Sequence, residues 1–185
     1  TGVTNSYLRA PHLQAMSVST LDRLSNGRAF LGLGRSLPAW YQQLLSINVC
    51  SPLNVMEETV SLLRQWWQQP YRASSSGYFN VNKLSRGFGG IQRQLPIYIA
   101  AVGPKMLKLA ANIADGVILS WPSVMFLEQA IPAFKELSKY PIISDPSHAS
   151  FWAPWVPPLI YASIAANCNC LIIEMHPKPN ESAVD

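Results

Sequence analysis

Apolar residues recur at helical spacing in several segments of this chain. The first segment is 11–24, PHLQAMSVSTLDRL, where Pro11 suits a first helical turn and Asn26 with Gly27 ends the helix. Its apolar residues fall near one helical face: Leu13, Met16, Leu21 and Leu24. A second helix is predicted over about 52–68, with apolar residues spaced by four, three and four: Met56, Val60, Leu63 and Trp67. Further helices are predicted over 103–116, 123–137 and 156–166, and Pro132 should kink or split the second of these.

Short, continuous apolar runs lie between the helices and predict buried strands. The runs are 28–34, 95–101, 116–121, 140–145 and 170–175. Continuous apolar strands separated by helices indicate a parallel sheet that is covered on both faces. The fold class is therefore α/β, either an open doubly wound sheet or a partial (β/α)8 TIM barrel of about five parallel strands with flanking helices. The segments 35–51 and 70–94 interrupt the alternation, and we predict two long βα-loop insertions there, where such folds carry binding residues.

Composition narrows the classes of function that this fold could serve. Charged residues make up 13% of the chain, about half of the roughly 25% usual in soluble domains, which favours a large buried fraction or surfaces that meet a partner. The net charge of +4 comes from scattered residues and forms no basic stripe, so we expect no nucleic-acid partner. No apolar window is long enough to predict a membrane span. The spacing of Cys50, Cys168 and Cys170 fits neither a zinc site nor a disulfide framework, and we expect a reducing cytoplasm.

The sequence AAVGPKM (100–106) is a candidate anion site between a strand and a helix. Gly103 stands just before the helix, where free backbone N–H groups and the helix dipole attract a phosphate, and Lys105 adds a positive charge. The alternative is that Gly103 and Pro104 form only a tight turn between strand and helix. From these residues alone, both interpretations stay open.

Four stretches of the first 137 residues resemble one enzyme family. They are GVTNSYLRAPHLQAMSVSTLDRLSNGRAFLGLG, MEETVSLLRQWW, SGYFNV and QLPIYIAAVGPKMLKLAANIADGVILS. Together they resemble the luciferase-like monooxygenases, and within these the deazaflavin-dependent branch that is like methylenetetrahydromethanopterin reductase. The resemblance implies a (β/α)8 barrel that binds FMN or the deazaflavin coenzyme F420 and transfers hydride to or from a small-molecule substrate.

The resemblance also implies which residues contact the cofactor. The four at its phosphate end are Val102, Gly103, Lys105 and Met106, and the three at the strand ends near its ring are Thr4, Gly32 and Gly34. Ser36 stands where the family usually has a third glycine. Two N-terminal strands of the family barrel have no counterpart in this sequence, so we expect an oligomer or a segment supplied by a partner.

The last 48 residues resemble a different barrel enzyme. DPSHA, VPPL, SIAAN and LIIEMHPKP are similar to the C-terminal end of 3-deoxy-7-phosphoheptulonate (DAHP) synthase of the shikimate pathway, which condenses phosphoenolpyruvate with erythrose 4-phosphate. This resemblance implies that His148, Glu174 and Asp185 are ligands of a divalent metal such as Mn, Fe, Co or Zn. The alternative is that His148 is a loop residue that follows a strand. The synthase has a further cysteine ligand on an early strand, for which this sequence has no counterpart.

Three hypotheses follow from the two resemblances. The chain is a flavin- or deazaflavin-dependent oxidoreductase, incomplete by itself, with a luciferase-like segment at 1–137 and a DAHP synthase-like segment at 138–185. Alternatively, it is a non-catalytic chimera or fragment of two TIM barrels. The third hypothesis is a metal-dependent DAHP synthase, which lacks most of its substrate site here.

Overall fold

The computed structural model describes residues 2–46, 51–85, 89–120, 123–150 and 152–178. The α-helices are α1 (Pro11–Leu24), α2 (Pro38–Leu45), α3 (Pro52–Trp67), α4 (Pro104–Ile113), α5 (Val124–Leu137), α6 (Pro146–Ser150) and α7 (Val156–Ala165), with a 3-10 turn at Ala153–Trp155. The strands are β1 (Leu31–Leu33), β2 (Arg72–Ser75), β3 (Val81–Ser85), β4 (Ile97–Ala101), β5 (Gly116–Ser120), β6 (Ile142–Asp145) and β7 (Cys170–Leu171). The predicted helix over 11–24 has these bounds, and the other predicted helices agree closely.

Five of the strands form one parallel sheet in the order β1-β4-β5-β6-β7. The central strands are buried along their length, as their continuous apolar sequences predict: β5 is followed in the sheet by β6, with Val117 opposite Ile142 and Ser120 opposite Asp145. The predicted α/β class and the number of parallel strands are therefore confirmed. The chain divides into two compact units, Thr1–Tyr98 and Ile99–Asp185.

In the N-terminal unit, α3 buries the predicted apolar face. Met56, Val60, Leu63 and Trp67 are all buried, and Leu63 has no exposed surface. The Nε1 atom of Trp67 donates to the carbonyl of Ala15 on α1 over 3.2 Å. This hydrogen bond joins the two helices while most of the Trp67 ring lies in the core.

The predicted face of α1 is wrong. Leu13, Met16, Leu21 and Leu24 are exposed, Leu24 to 80% of its surface. The face that packs against the protein carries the polar residues Gln14, Ser19 and Asp22 beside the small apolar residues Ala15 and Val18. The polar residues can be buried because each makes hydrogen bonds inside the protein, and the spacing of apolar residues does not report such bonds.

Asp22 fixes the segment that leads towards β4. Its carboxylate accepts hydrogen bonds from Ile91 N (2.6 Å), Gln92 N (2.9 Å) and Gln92 Nε2 (2.8 Å). Arg23 adds two bonds to the carbonyl of Gly89, from Nη2 (2.8 Å) and Nε (3.1 Å). Burial alone raises the pKa of Asp22, but the hydrogen bonds from Gln92 and Ile91 outweigh it, so the pKa lies below its ordinary value of 3.8.

The two predicted insertions contain regular structure. The segment 35–51 is a connection from β1 to α3 and includes α2, whereas β2 and β3 within 70–94 form an antiparallel hairpin between α3 and β4. The second insertion is therefore an αβ connection and not the predicted βα loop. Glu58 on α3 fixes the tip of the hairpin, because its carboxylate accepts from Tyr78 N (2.7 Å), Phe79 N (3.1 Å) and the hydroxyl of Ser75.

In the C-terminal unit, α5 continues through Pro132 without the predicted split. Pro132 lies on the exposed side of α5, between the buried residues Ile131 and Phe134. Proline leaves one carbonyl of the preceding turn without its helical partner, and on an exposed side that carbonyl is open to water. The helix therefore tolerates the proline at this position.

The last strand is shorter than predicted, and a side chain fixes its register. β7 pairs with β6 through Ile143 opposite Cys170 and Ser144 opposite Leu171. Just before β7, Asn169 N donates to Ile142 O and Asn169 Oδ1 accepts from Ile142 N, both over 2.9 Å. The sequence DPSH does not form a loop, because Asp145 ends β6 and α6 begins at Pro146 and contains His148, so the alternative that His148 is a loop residue is wrong.

Candidate functional site

The N-terminal unit brings together the three residues predicted at the strand ends. Thr4 forms a parallel bridge with Leu33 at the end of β1. Thr4 N donates to Gly32 O over 2.9 Å, and Gly34 N donates to Thr4 O over 2.8 Å. Gly32 and Gly34 are buried and Thr4 is half-buried, so Thr4 is the one of these three residues that retains access to solvent.

A buried polar network supports the backbone that follows Thr4. Gln14 Nε2 donates to the carbonyls of Asn5 (3.1 Å) and Arg9 (2.7 Å), and it lies 3.3 Å from Ser6 Oγ. Thr59 Oγ1 on α3 lies 2.8 Å from the same Ser6 hydroxyl. This network holds the segment after Thr4 against α1 and α3, which explains why polar residues occupy the inner face of α1.

An aromatic cluster that the sequence analysis missed lies next to this network. The Tyr7 ring is 5.3 Å from that of Tyr41 on α2 and 6.0 Å from that of Tyr78 at the hairpin tip, and Tyr78 is 5.0 Å from Phe79. Tyr41 is buried and donates its hydroxyl to the carbonyl of Arg35, and burial raises its pKa. The aromatic residues within both predicted insertions were the sequence signal that could have indicated this cluster. The cluster attaches α2 and the hairpin tip to the segment that follows Thr4.

The C-terminal unit places the other four predicted cofactor residues in one turn. β4 ends at Ala101, Val102 and Gly103 follow, and α4 begins at Pro104. Gly103 has an extended backbone (φ −136°, ψ 162°), and a Cβ built there would meet nothing within 4 Å. The turn is open, since Val102 and Lys105 are exposed.

The first turn of α4 has the properties of an anion site. No side chain caps it and it contains no acidic residue. The N–H groups of Lys105 and Met106 belong to the first helical turn, where such groups have no helical acceptor. Met106 is buried, so its side chain packs in the core and only its backbone could contact a ligand, whereas Lys105 presents an exposed ammonium group.

Two of the three predicted metal ligands meet in the C-terminal unit. His148 Nε2 lies 3.5 Å from Glu174 Oε2, and Glu174 N donates to Ser147 Oγ over 2.9 Å. Asp185 lies outside the described residues. Asp145, which the sequence analysis did not select, holds the opposite edge of the imidazole, with His148 Nδ1 2.9 Å from its Oδ2.

Two carboxylates contact different nitrogen atoms of the His148 ring. Asp145 contacts Nδ1 and Glu174 faces Nε2, so the two carboxylates lie on opposite edges of the ring. Within the described part of the chain, no group of three or more His, Cys, Asp or Glu side chains converges on a point that could hold a metal ion. In the same residues, every helix is too short or too polar to cross a membrane.

Comparison with known proteins relates most of this chain to one family. Residues 1–142 match the family model described as luciferase-like monooxygenase, and the match ends at the first residue of β6. The chain is 37% identical over 119 residues to 5,10-methylenetetrahydromethanopterin reductase of Archaeoglobus fulgidus, covering 64% of this chain and 35% of that protein.

Two solved structures share the fold. The coenzyme F420-dependent tetrahydromethanopterin reductase of Methanopyrus kandleri is 25% identical and superposes with a TM-score of 0.66, over 77% of this chain and 48% of that one. An F420-dependent secondary alcohol dehydrogenase in complex with an F420–acetone adduct gives a TM-score of 0.68 at 21% identity, again over 77% of this chain and 47% of that one. The chain thus spans between about a third and a half of the length of these relatives.

Proposed function

Because the chain belongs to the luciferase-like monooxygenase family, we propose that it forms part of a flavin- or deazaflavin-dependent oxidoreductase. The bound cofactor ring would supply the hydride chemistry on a small-molecule substrate. We favour the deazaflavin coenzyme F420 over FMN, since both reductase relatives belong to the tetrahydromethanopterin reductases and one is named as F420-dependent. This chain spans only part of the length of those relatives, which supports an enzyme whose remaining segments come from an oligomer or from a partner segment.

The observation that carries the proposal is the open turn between β4 and α4. Gly103 leaves free space where any other residue would place a side chain, and the uncapped first turn of α4 presents N–H groups with Lys105 beside them. Anions bind at such a helix start because the dipole and the unpaired N–H groups act together. We propose that Val102, Gly103, Lys105 and Met106 bind the phosphate end of the cofactor. Met106 would contribute only its backbone.

Thr4, Gly32 and Gly34 have a different proposed role. The two buried glycines form the strand end, and the bridge to Leu33 fixes Thr4 upon it. We propose that the Thr4 hydroxyl contacts the cofactor ring and orients it, while the glycines let the ring approach the backbone.

Titration with coenzyme F420 and, separately, with FMN tests this function through changes in cofactor absorbance and fluorescence. Gly103→Ala is the most informative variant, because the added methyl group meets no atom of the protein and the φ angle of −136° suits alanine. We expect Gly103→Ala to weaken cofactor binding while the melting temperature stays unchanged. Lys105→Gln should weaken binding about tenfold, as expected for a lost charged hydrogen bond.

Lys108→Gln is the matched control, since Lys108 is exposed on the same helix beyond the first turn. Equal binding by the Lys105 and Lys108 variants would contradict the phosphate site. If the protein changes the absorbance and fluorescence of neither cofactor, the result would favour the alternative, in which the chain is a non-catalytic fragment or chimera.

We also propose, as a second candidate, a divalent-metal site at His148 and Glu174, with Asp185 as the third predicted ligand. Metal–ligand bonds of about 2.0–2.2 Å place neighbouring ligand atoms roughly 3 Å apart, which is close to the 3.5 Å between His148 Nε2 and Glu174 Oε2. Asp145 would hold the imidazole from the Nδ1 side, as outer carboxylates do for metal-bound histidines. The resemblance to DAHP synthase over 138–185 stays a prediction, as does condensation of its two substrates.

Cobalt titration followed by visible absorbance tests the metal pair. We expect His148→Ala to abolish the cobalt signal and His176→Ala to preserve it, because His176 contacts the carbonyl of Lys178 and lies outside the pair. Identical titration curves for the two variants would contradict the site. We also propose a cytoplasmic location, because the spacing of the three cysteines in the sequence fits no disulfide framework.

A further inference from the structure

An open cleft of about 820 Å³ lies in the N-terminal unit, outside every site considered so far. One wall comes from the end of α3 and the residues after it, including Trp67, Gln69 and Tyr71. The other wall is the segment Gly89–Gln94, which leads into the N-terminal end of β4. Its volume is within the range of small-molecule sites, whereas chemistry in barrel enzymes takes place at the C-terminal strand ends.

The second wall is held by hydrogen bonds to two neighbouring residues of α1. Asp22 accepts the N–H groups of Ile91 and Gln92, and Arg23 donates twice to the carbonyl of Gly89. The two walls touch at Gly89, because a Cβ on this residue would lie only 3.0 Å from the Tyr71 ring. The cleft is therefore formed before any ligand arrives, which lowers the entropic cost of binding.

Three of the polar side chains at the opening lack partners among the described residues. No described residue forms a hydrogen bond or ion pair with the side chains of Gln68, Gln69 or Arg93, all three of which are exposed at the cleft. Among the described residues that line the cleft there is no carboxylate, and the half-buried Tyr71 ring offers an apolar surface beside these groups. Primary amides both donate and accept, as hydroxyl groups require, and a guanidinium group suits a phosphate or carboxylate.

We propose that this cleft binds a small polyhydroxylated anion of the sugar phosphate class. Arg93 binds the anionic group, the amides of Gln68 and Gln69 bind hydroxyls, and the Tyr71 ring covers the apolar face of the sugar. The proposal does not depend on the proposed function, because all of its residues lie apart from the cofactor and metal residues in the sequence and on other elements.

Titration of ribose 5-phosphate into the protein carrying 15N-labelled glutamine tests the site. We expect saturable shifts of the side-chain amide resonances of Gln68 and Gln69, and none for Gln42 and Gln43, which are exposed on α2. Arg93→Gln should weaken binding about tenfold. Arg28→Gln, at an exposed arginine outside the cleft, should leave the affinity unchanged.

Two further titrations separate the contribution of the sugar from that of the phosphate group. Ribose alone and inorganic phosphate alone should each bind more weakly than ribose 5-phosphate, since each offers half of the contacts. The proposal is overturned if ribose 5-phosphate shifts neither Gln68 nor Gln69, or if the Arg93 and Arg28 variants bind it equally. Equal affinity for inorganic phosphate alone would overturn the sugar part of the assignment.

Discussion

Asp22→Asn tests whether one buried carboxylate holds the segment before β4. The side chain has no exposed surface and accepts three hydrogen bonds, two of them from the consecutive backbone N–H groups of Ile91 and Gln92. Asparagine has nearly the same shape but only one acceptor oxygen. Its NH2 group would face N–H donors in a place that water does not reach.

The expected loss follows from the bonds that asparagine cannot accept. Hydrogen bonds to charged groups contribute about 1.5–3 kcal/mol each, and an unsatisfied buried donor costs a similar amount. Because the new carbonyl oxygen still accepts at one end of the site, we expect the free energy of unfolding to fall by about 2–4 kcal/mol at neutral pH. The pKa of Asp22 is depressed, so its contribution is present above the ordinary value of 3.8 and is lost as the pH falls through the lower folded pKa.

Urea unfolding followed by tryptophan fluorescence measures the effect, with hydrogen exchange at Ile91 and Gln92 to locate it. The difference between the wild type and Asp22→Asn should be large at pH 7 and should shrink below about pH 4. Glu57→Gln is the control, because Glu57 is exposed on α3 in the same unit. A loss below about 0.5 kcal/mol at pH 7, or a loss that does not change with pH, would refute the reasoning.

The other predictions concern the hairpin and the two helix faces. In Gly77→Ala the new Cβ would lie 2.6 Å from Glu58 Oε2, so we expect a loss of about 1–3 kcal/mol and faster hydrogen exchange at Tyr78; unchanged exchange would contradict the role of Glu58. Leu63→Ala should cost about 2–5 kcal/mol in urea unfolding, since Leu63 is fully buried. Leu24→Ala should cost less than about 0.5 kcal/mol, because Leu24 is 80% exposed; a loss equal to that of Leu63→Ala would restore the face predicted from sequence.

The helix over 11–24 shows which features of a helix the sequence pattern predicts and which it does not. Its bounds were correct because Pro11 and the Asn26 and Gly27 pair are local signals for the start and the end of a helix. Its buried face was wrong because the side chains that pack inward, Gln14 and Asp22 among them, are stabilised by partners distant in the sequence. Burial of a polar residue depends on tertiary hydrogen bonds, which a pattern of apolar residues does not contain.

The hairpin between α3 and β4 escaped prediction for a related reason. Its strands are short and mostly exposed, so they lack the apolar run that marked β4 and β5. What orders the turn is a carboxylate on another element, Glu58. For the candidate sites, the resemblance selected Gly103 and His148 together with their local elements, while Asp145 and the cleft beside Tyr71 became visible only in three dimensions.

The two hydrogen bonds between Asn169 and Ile142 determine which residue after β7 reaches His148. β7 contributes two residues to the sheet, too few for alternating side chains to select one alignment over its neighbours. With Asn169 locked opposite Ile142, the next residues are delivered in a fixed frame, and Glu174 reaches Ser147 and His148. One residue inserted or deleted after Asn169 would deliver an apolar side chain, Ile173 or Met175, in its place. The side-chain amide of Asn169 thus fixes the register of β7 and, through it, the position of Glu174.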